Sequence, residues 1–95
     1  MTDLNISKVR SILSQNDVQF AGIFGSRARG DNRPDSDIDL IVRFKEGKIK
    51  GLFELIALQR ELSEILGIKV DLVTEGSISP HIKKYALKDL RVIYQ

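Results

Sequence analysis

A chain of 95 residues, 42% hydrophobic and 29% charged, buries roughly 60–65% of the surface it exposes when unfolded, enough for one modest core and a single domain over 1–95. Its formal net charge is +2 with both signs mixed along the chain, which argues against a basic stripe and against direct nucleic-acid binding. With no cysteine and one histidine, His81, disulfide frameworks and thiolate or histidine-rich metal sites are excluded, so any metal must be held by oxygen, which favours magnesium, manganese or calcium.

The first periodic segment is "ISKVRSILSQN", where Ile6, Val9, Ile12 and Leu13 fall at helical spacing and Lys8, Arg10 and Gln15 take the other side. "VQFAGIF", Val18 to Phe24, is almost wholly apolar and reads as a buried strand. Gly25 and Ser26 break that run, and "SRARGD" opens a short helix at Ser26. After a polar turn around Pro34, "IDLIVRF" reads as a second strand by its β-branched content. The charged loop "KEGKIKG" leads into "LFELIALQRELSEILG", a helix whose Leu52, Leu55, Ile56, Leu62, Ile65 and Leu66 form one broad face, with Gly67 as its stop. "IKVDLVT" is a third strand, Ser79 and Pro80 are N-cap and first residue of a last helix, and "RVIY" is a fourth, short strand. Helices alternating with strands predict an α+β (α/β-like) domain, a mixed sheet of about four strands packed with helices. The polar N-terminus and the lack of any apolar run near ~18 residues predict no leader and no membrane span, hence a cytoplasmic protein.

The chemistry concentrates in "GSRARGDNRPDSDIDL", Gly25 to Leu40. A strand that ends in Gly-Ser and enters a helix presents free N–H groups to an anion such as phosphate. Gly25 and Gly30 have P-loop spacing, but Asp31 and Asn32 stand where that loop needs Lys and Ser or Thr. "DSDID" begins like an EF-hand, yet Leu40 occupies the position of the turn glycine. What remains is an Asp-x-Asp on the leading edge of a strand. Asp37 and Asp39 project from one sheet face while Ile38, Leu40 and Val42 pack into the other. Two such anions are costly unless a cation neutralises them. A divalent ion held by both meets that need, and a third carboxylate allows two ions ~3.5–4 Å apart. Asp71, between Val70 and Leu72 in the third strand, is that third carboxylate if the two strands are neighbours. Read alone, it pairs with Lys69 or an arginine.

These residues resemble the nucleotidyltransferase superfamily related to DNA polymerase β, whose pattern is Gly-Ser, a spacer, then [DE]-x-[DE] among apolar residues. The "ARG" and the serine before the first aspartate resemble the minimal nucleotidyltransferase (MNT) branch, antitoxin partners of HEPN-domain toxins. The likeness covers about Val18 to Val73. It implies the nucleotidyltransferase fold and an Mg²⁺-dependent transfer of AMP from ATP, with two Mg²⁺ ions (Mn²⁺ as a substitute) on Asp37, Asp39 and Asp71 and Asp71 as base or metal ligand. Gly25 and Ser26 then grip the β and γ phosphates. Arg27 and Arg29 are candidates for phosphate contact or solvated helix residues, and their spacing turns at most one toward the ligand. The implied acceptor is a tyrosine of a HEPN-type toxin. The alternatives are an antitoxin that masks its partner without catalysis and a transferase acting on a small molecule. Ser36 reads as a turn or cap residue, His81 as surface or packing, and Tyr85 and Tyr94 as helix-face and strand packing.

Overall fold

Two apolar runs, Val18–Phe24 and Ile38–Phe44, set the frame, since alternate positions of a strand face the same side. The computed structural model describes residues 3–48 and 50–95, so the charged loop after the second run is described except at position 49. The elements in order are α1 (Asp3–Gln15), β1 (Val18–Phe24), α2 (Ser26–Arg29), β2 (Ile38–Phe44), α3 (Leu52–Leu66), β3 (Val70–Thr74), a 3₁₀ turn (Glu75–Ser77), α4 (Pro80–Lys88) and β4 (Arg91–Tyr94). This is the expected alternation, with the third strand pairing from Val70 rather than from Ile68.

The four strands form one mixed sheet in the order β3-β2-β1-β4. β1 is antiparallel to β2 and to β4, while β2 and β3 are parallel. The connections explain this. Between β1 and β2 the only helix is α2, of 4 residues, too short for a crossover. Between β2 and β3 lies α3, of 15 residues, which carries the chain back to begin a parallel strand.

Val9, Ile12 and Leu13 of α1 and Leu58 and Leu62 of α3 are buried with Ile23, Ile38, Leu40, Val42 and Val70 of the sheet. The expected apolar face of α3 needs correction. Leu52 is 70% exposed and Ile56 43%, whereas Leu58, absent from that face, is buried. The helix carries a wider apolar arc than one sheet face can cover, and the residues that dock are Leu58, Leu62, Ile65 and Leu66. Tyr85 is likewise 67% exposed rather than packed, because the buried position of α4 belongs to Ala86. Tyr94 packs against the core, and His81 lies at the surface, its ring edge-on to Tyr85. Ser79 caps α4 by accepting the Ile82 N–H at 3.3 Å, with Pro80 at the first helical position. No helix among the described residues is long and apolar enough to cross a membrane.

α3 also closes the outer edge of β3. Gln59 Oε1 accepts the Leu72 N–H at 2.9 Å, and Ser63 Oγ accepts the Val70 N–H at 2.9 Å. Both amides of an edge strand are thereby satisfied by side chains rather than left as a template for another strand. Gln59→Leu leaves the Leu72 amide unpaired under a packed helix and is expected to lower stability by about 1–3 kcal/mol, measured by urea unfolding.

On the far side of β3, Glu75 joins β2 to α4 by receiving Arg43 Nη1 at 3.2 Å and Lys83 Nζ at 3.1 Å. The Lys83 hydrogen bond, and then the charges of Lys83 and Arg43, hold its carboxyl below the ordinary 4.5 against a smaller opposing effect of burial. A carboxyl lowered in the folded state stabilises fully above its unfolded value and loses that stabilisation as pH falls through the folded one. The melting temperature is therefore expected to drop as pH falls below about 4.5, and to drop less in Glu75→Gln.

Candidate active site

The site begins where β1 stops. The last residue pair of the β1–β2 ladder is Phe24 with Asp39, so the next residue, Gly25, lies against the Asp39 carboxylate. A Cβ built on Gly25 would stand 2.5 Å from Asp39 Oδ2, and Gly25 has φ 77°, ψ −154°. That conformation belongs essentially to glycine. Gly25 is thus required twice, by its backbone and by its neighbour. It turns the chain into α2, whose Ala28 and Arg29 amides both donate to the Gly25 carbonyl at 3.1 Å. Ala28 is buried and seats this single turn on the sheet. The Ser26 hydroxyl makes no hydrogen bond among the described residues.

The strand pair β2–β3 brings in the aspartates. Asp39 and Asp71 are direct partners in the parallel ladder, on adjacent strands about 4.8 Å apart. Asp71 is exposed and makes no hydrogen bond or ion pair among the described residues. Lys69, its candidate partner by sequence, faces Asp37 instead, with Nζ 3.9 Å from Oδ2. Asp39 is half-buried. Burial first, then the charges of Asp71 and Asp37, push its carboxyl above the ordinary 3.8, and Arg29 works in the opposite direction. Asp35 lies exposed in the turn after Pro34.

Arg29 and Arg27, two residues apart, diverge. Arg29 pairs with Asp31 at 3.1 Å and reaches Asp89 at 3.9 Å. It also lines, with Phe24, Gly25, Ile82, Tyr85 and Ala86, a depression of about 130 Å³ beside the glycine turn. Arg27 turns to the loop and donates to backbone carbonyls: Nε and Nη2 to Ser36 O at 3.0 and 2.8 Å, Nη2 also to Pro34 O at 3.3 Å. Ser36 is a turn residue as expected, its Oγ accepting the Arg33 N–H at 2.8 Å. Neither the Arg27 anchor nor Asp89 behind Arg29 has a signature in sequence, since both depend on how the loop folds back.

The donor set suits a hard divalent cation. It is all carboxylate oxygen, and the member that burial and two like charges disfavour as an anion, Asp39, is the one a cation would relieve. As the side chains stand, no three acidic or imidazole groups among the described residues are gathered to chelating distance, and Asp37 is directed to Lys69.

Comparison with known proteins places the chain among nucleotidyltransferases. Residues 6–93 match the family model described as nucleotidyltransferase domain. The protein adenylyltransferase MntA of Thermococcus cleftensis is 35% identical over 95% of this chain and 97% of its own length. A candidate protein adenylyltransferase of Methanocaldococcus jannaschii is 44% identical over 86% of each chain. A solved toxin–antitoxin structure with AMP-PNP superposes with a TM-score of 0.81 at 25% identity, over 95% of this chain and 73% of that one. The same fold recurs, at 24% identity and a TM-score of 0.76 over 99% of this chain and 72% of the other, in a complex of a tri-AMPylated Shewanella oneidensis HEPN toxin with its MNT antitoxin.

Proposed function

The chain belongs to the nucleotidyltransferase domain family, and from that membership we propose that it transfers AMP from ATP to a tyrosine hydroxyl of a HEPN-type toxin, so acting as its antitoxin. The observation that carries the reading is the direct pairing of Asp39 with Asp71 across β2–β3, with Gly25 packed against the Asp39 carboxylate. A binding protein that only masks its partner has no need of a half-buried anion flanked by two others.

In this reading the Gly25–Ser26 turn holds the β and γ phosphates through its N–H groups and the Ser26 hydroxyl, with Arg29 beside them. Asp37, Asp39 and Asp71 would hold the divalent ions, which when bound would neutralise the triphosphate and lower the pKa of the attacking hydroxyl. The acceptor oxygen attacks the α-phosphorus, the bond to the bridging oxygen of the β-phosphate breaks, and pyrophosphate leaves. Asp71, exposed and with no hydrogen bond or ion pair among the described residues, is the candidate to take the hydroxyl proton, directly or as a ligand of the ion that activates it. The chain's own contribution is orientation and fixed charge, which dominate phosphoryl-type transfer.

The test uses ATP labelled in its α-phosphate, Mg²⁺ and a HEPN-type protein as the acceptor. Label is expected on a partner tyrosine with the native chain and not with Asp37→Asn/Asp39→Asn. Neutralisation that survives the double substitution, with no label on the partner, would establish masking instead.

A further inference from the structure

We propose that Arg27 is a positioning residue that sets the peptide leading into Asp37 and so couples the phosphate turn to the aspartate strand. The inference rests on the nucleotidyltransfer reading for its kinetic consequence only.

Arg27 stands one residue past Ser26, on a turn seated by the burial of Ala28. Its guanidinium makes three contacts, all to carbonyl oxygens on the other side of the site: two to Ser36 O and one to Pro34 O. Asp31, Asp35 and Asp37 all occur in the same loop, yet none of them is its partner. The segment it grips is already a closed turn, with Ser36 N–H donating to Arg33 O at 3.0 Å and Arg33 N–H to Ser36 Oγ at 2.8 Å. On the far side of Asp37, the Ile38 N–H donates to Lys69 O at 2.9 Å. Asp37 is thus the single residue between two anchored peptides, one tied to β3 and the other to Arg27. The planar fork of a guanidinium can bridge two carbonyls at fixed angles, which a lysine ammonium on a flexible stem cannot do. The same fork that holds the loop leaves Arg29, not Arg27, beside the glycine turn.

A phosphate ligand and a positioning residue fail differently when removed. Loss of a ligand that binds ground and transition states alike raises KM, whereas misplacing Asp37 lowers kcat. Arg27→Met is expected to cut kcat for labelling of the HEPN-type partner by about 10–100-fold while KM for ATP moves less than about threefold. Arg27→Lys, which keeps the charge without the fork, is expected to remain well below the native rate. Binding of AMP-PNP with Mg²⁺ stays close to native in both. Independently of any activity, hydrogen exchange at the Ser36 amide, which donates to Arg33 O, is expected to accelerate at least about tenfold in Arg27→Met, with the core amides of β1 and β2 unchanged. A large rise in KM and loss of AMP-PNP binding, restored by Arg27→Lys, would make Arg27 a phosphate ligand and overturn the proposal. Unchanged exchange at Ser36 would overturn it too. Absence of labelling by the native chain would sink the transfer reading alone, because the exchange result still judges the anchor.

Discussion

Asp39→Asn is expected to slow transfer severely while making the protein more stable. Asp39 is the carboxylate that touches both halves of the site, next to Gly25 on one strand and opposite Asp71 on the other. An amide of the same shape keeps the packing but removes the charge that holds a cation and orients the α-phosphate. A loss of roughly 10²–10⁴-fold in labelling rate is expected. Stability moves the other way, because ionised Asp39 is opposed by burial and by Asp71 and Asp37. A carboxyl raised in the folded state costs stability once the pH passes its unfolded value, here 3.8, and the cost is complete above the raised one. The melting temperature of Asp39→Asn should exceed that of the native chain by roughly 2–5 °C at neutral pH, with the gap closing as pH falls toward the ordinary value. Equal melting temperatures at neutral pH would mean that the three aspartates do not strain one another. This is the stability–function conflict expected of a site built from like charges.

Gly25→Ala should damage both the fold and the site. Its φ of 77° and ψ of −154° are essentially closed to alanine, at a cost of about 1–3 kcal/mol. The added carbon would also meet Asp39 Oδ2 at 2.5 Å, so the carboxylate must move or the turn must open. Either displacement is expected to cost at least about 10²-fold in transfer rate. Gly30→Ala is the control: φ is 82° in the left-handed region and nothing lies within 4 Å of its Cβ position. It is expected to lower stability by about 1–2 kcal/mol and leave the labelling rate of the folded protein intact. Comparable activity in the two variants would show that the Gly25–Asp39 contact is incidental.

The local code of this chain is strong where one physical requirement dominates. β1 and β2 lie where the apolar and β-branched runs put them, Ser26 opens α2, and the Ser79-Pro80 pair starts α4. The convergence of Asp39 with Asp71 follows from a helix-length connection, which makes β2 and β3 parallel neighbours. Sequence pattern was ambiguous where several residues compete for one burial site. α3 has more apolar residues than its contact face has room for, and only docking decides that Leu58 goes in while Leu52 and Ile56 stay out. Contacts that depend on loop closure carried no signal at all. Arg27 and Arg29 are the same residue type two places apart, and only the fold of Asn32 to Ser36 separates their roles. The capping of β3 by Gln59 and Ser63 was equally silent, because polar residues on a helix face usually meet water.

The register of β2 against β3 bears on how this chain can vary over time. Asp39 and Asp71 meet because the connection from α3 to β3 has one particular length, running from Gly67 through Lys69. Inserting or deleting one residue there would slide β3 by one place, turning Asp71 toward α3 and Leu72 into solvent. The loop between β2 and α3 lies at the opposite end of the sheet and bears on no such pairing. Lineages of this chain should therefore accumulate length changes between Lys45 and Gly51 and show almost none between Gly67 and Lys69.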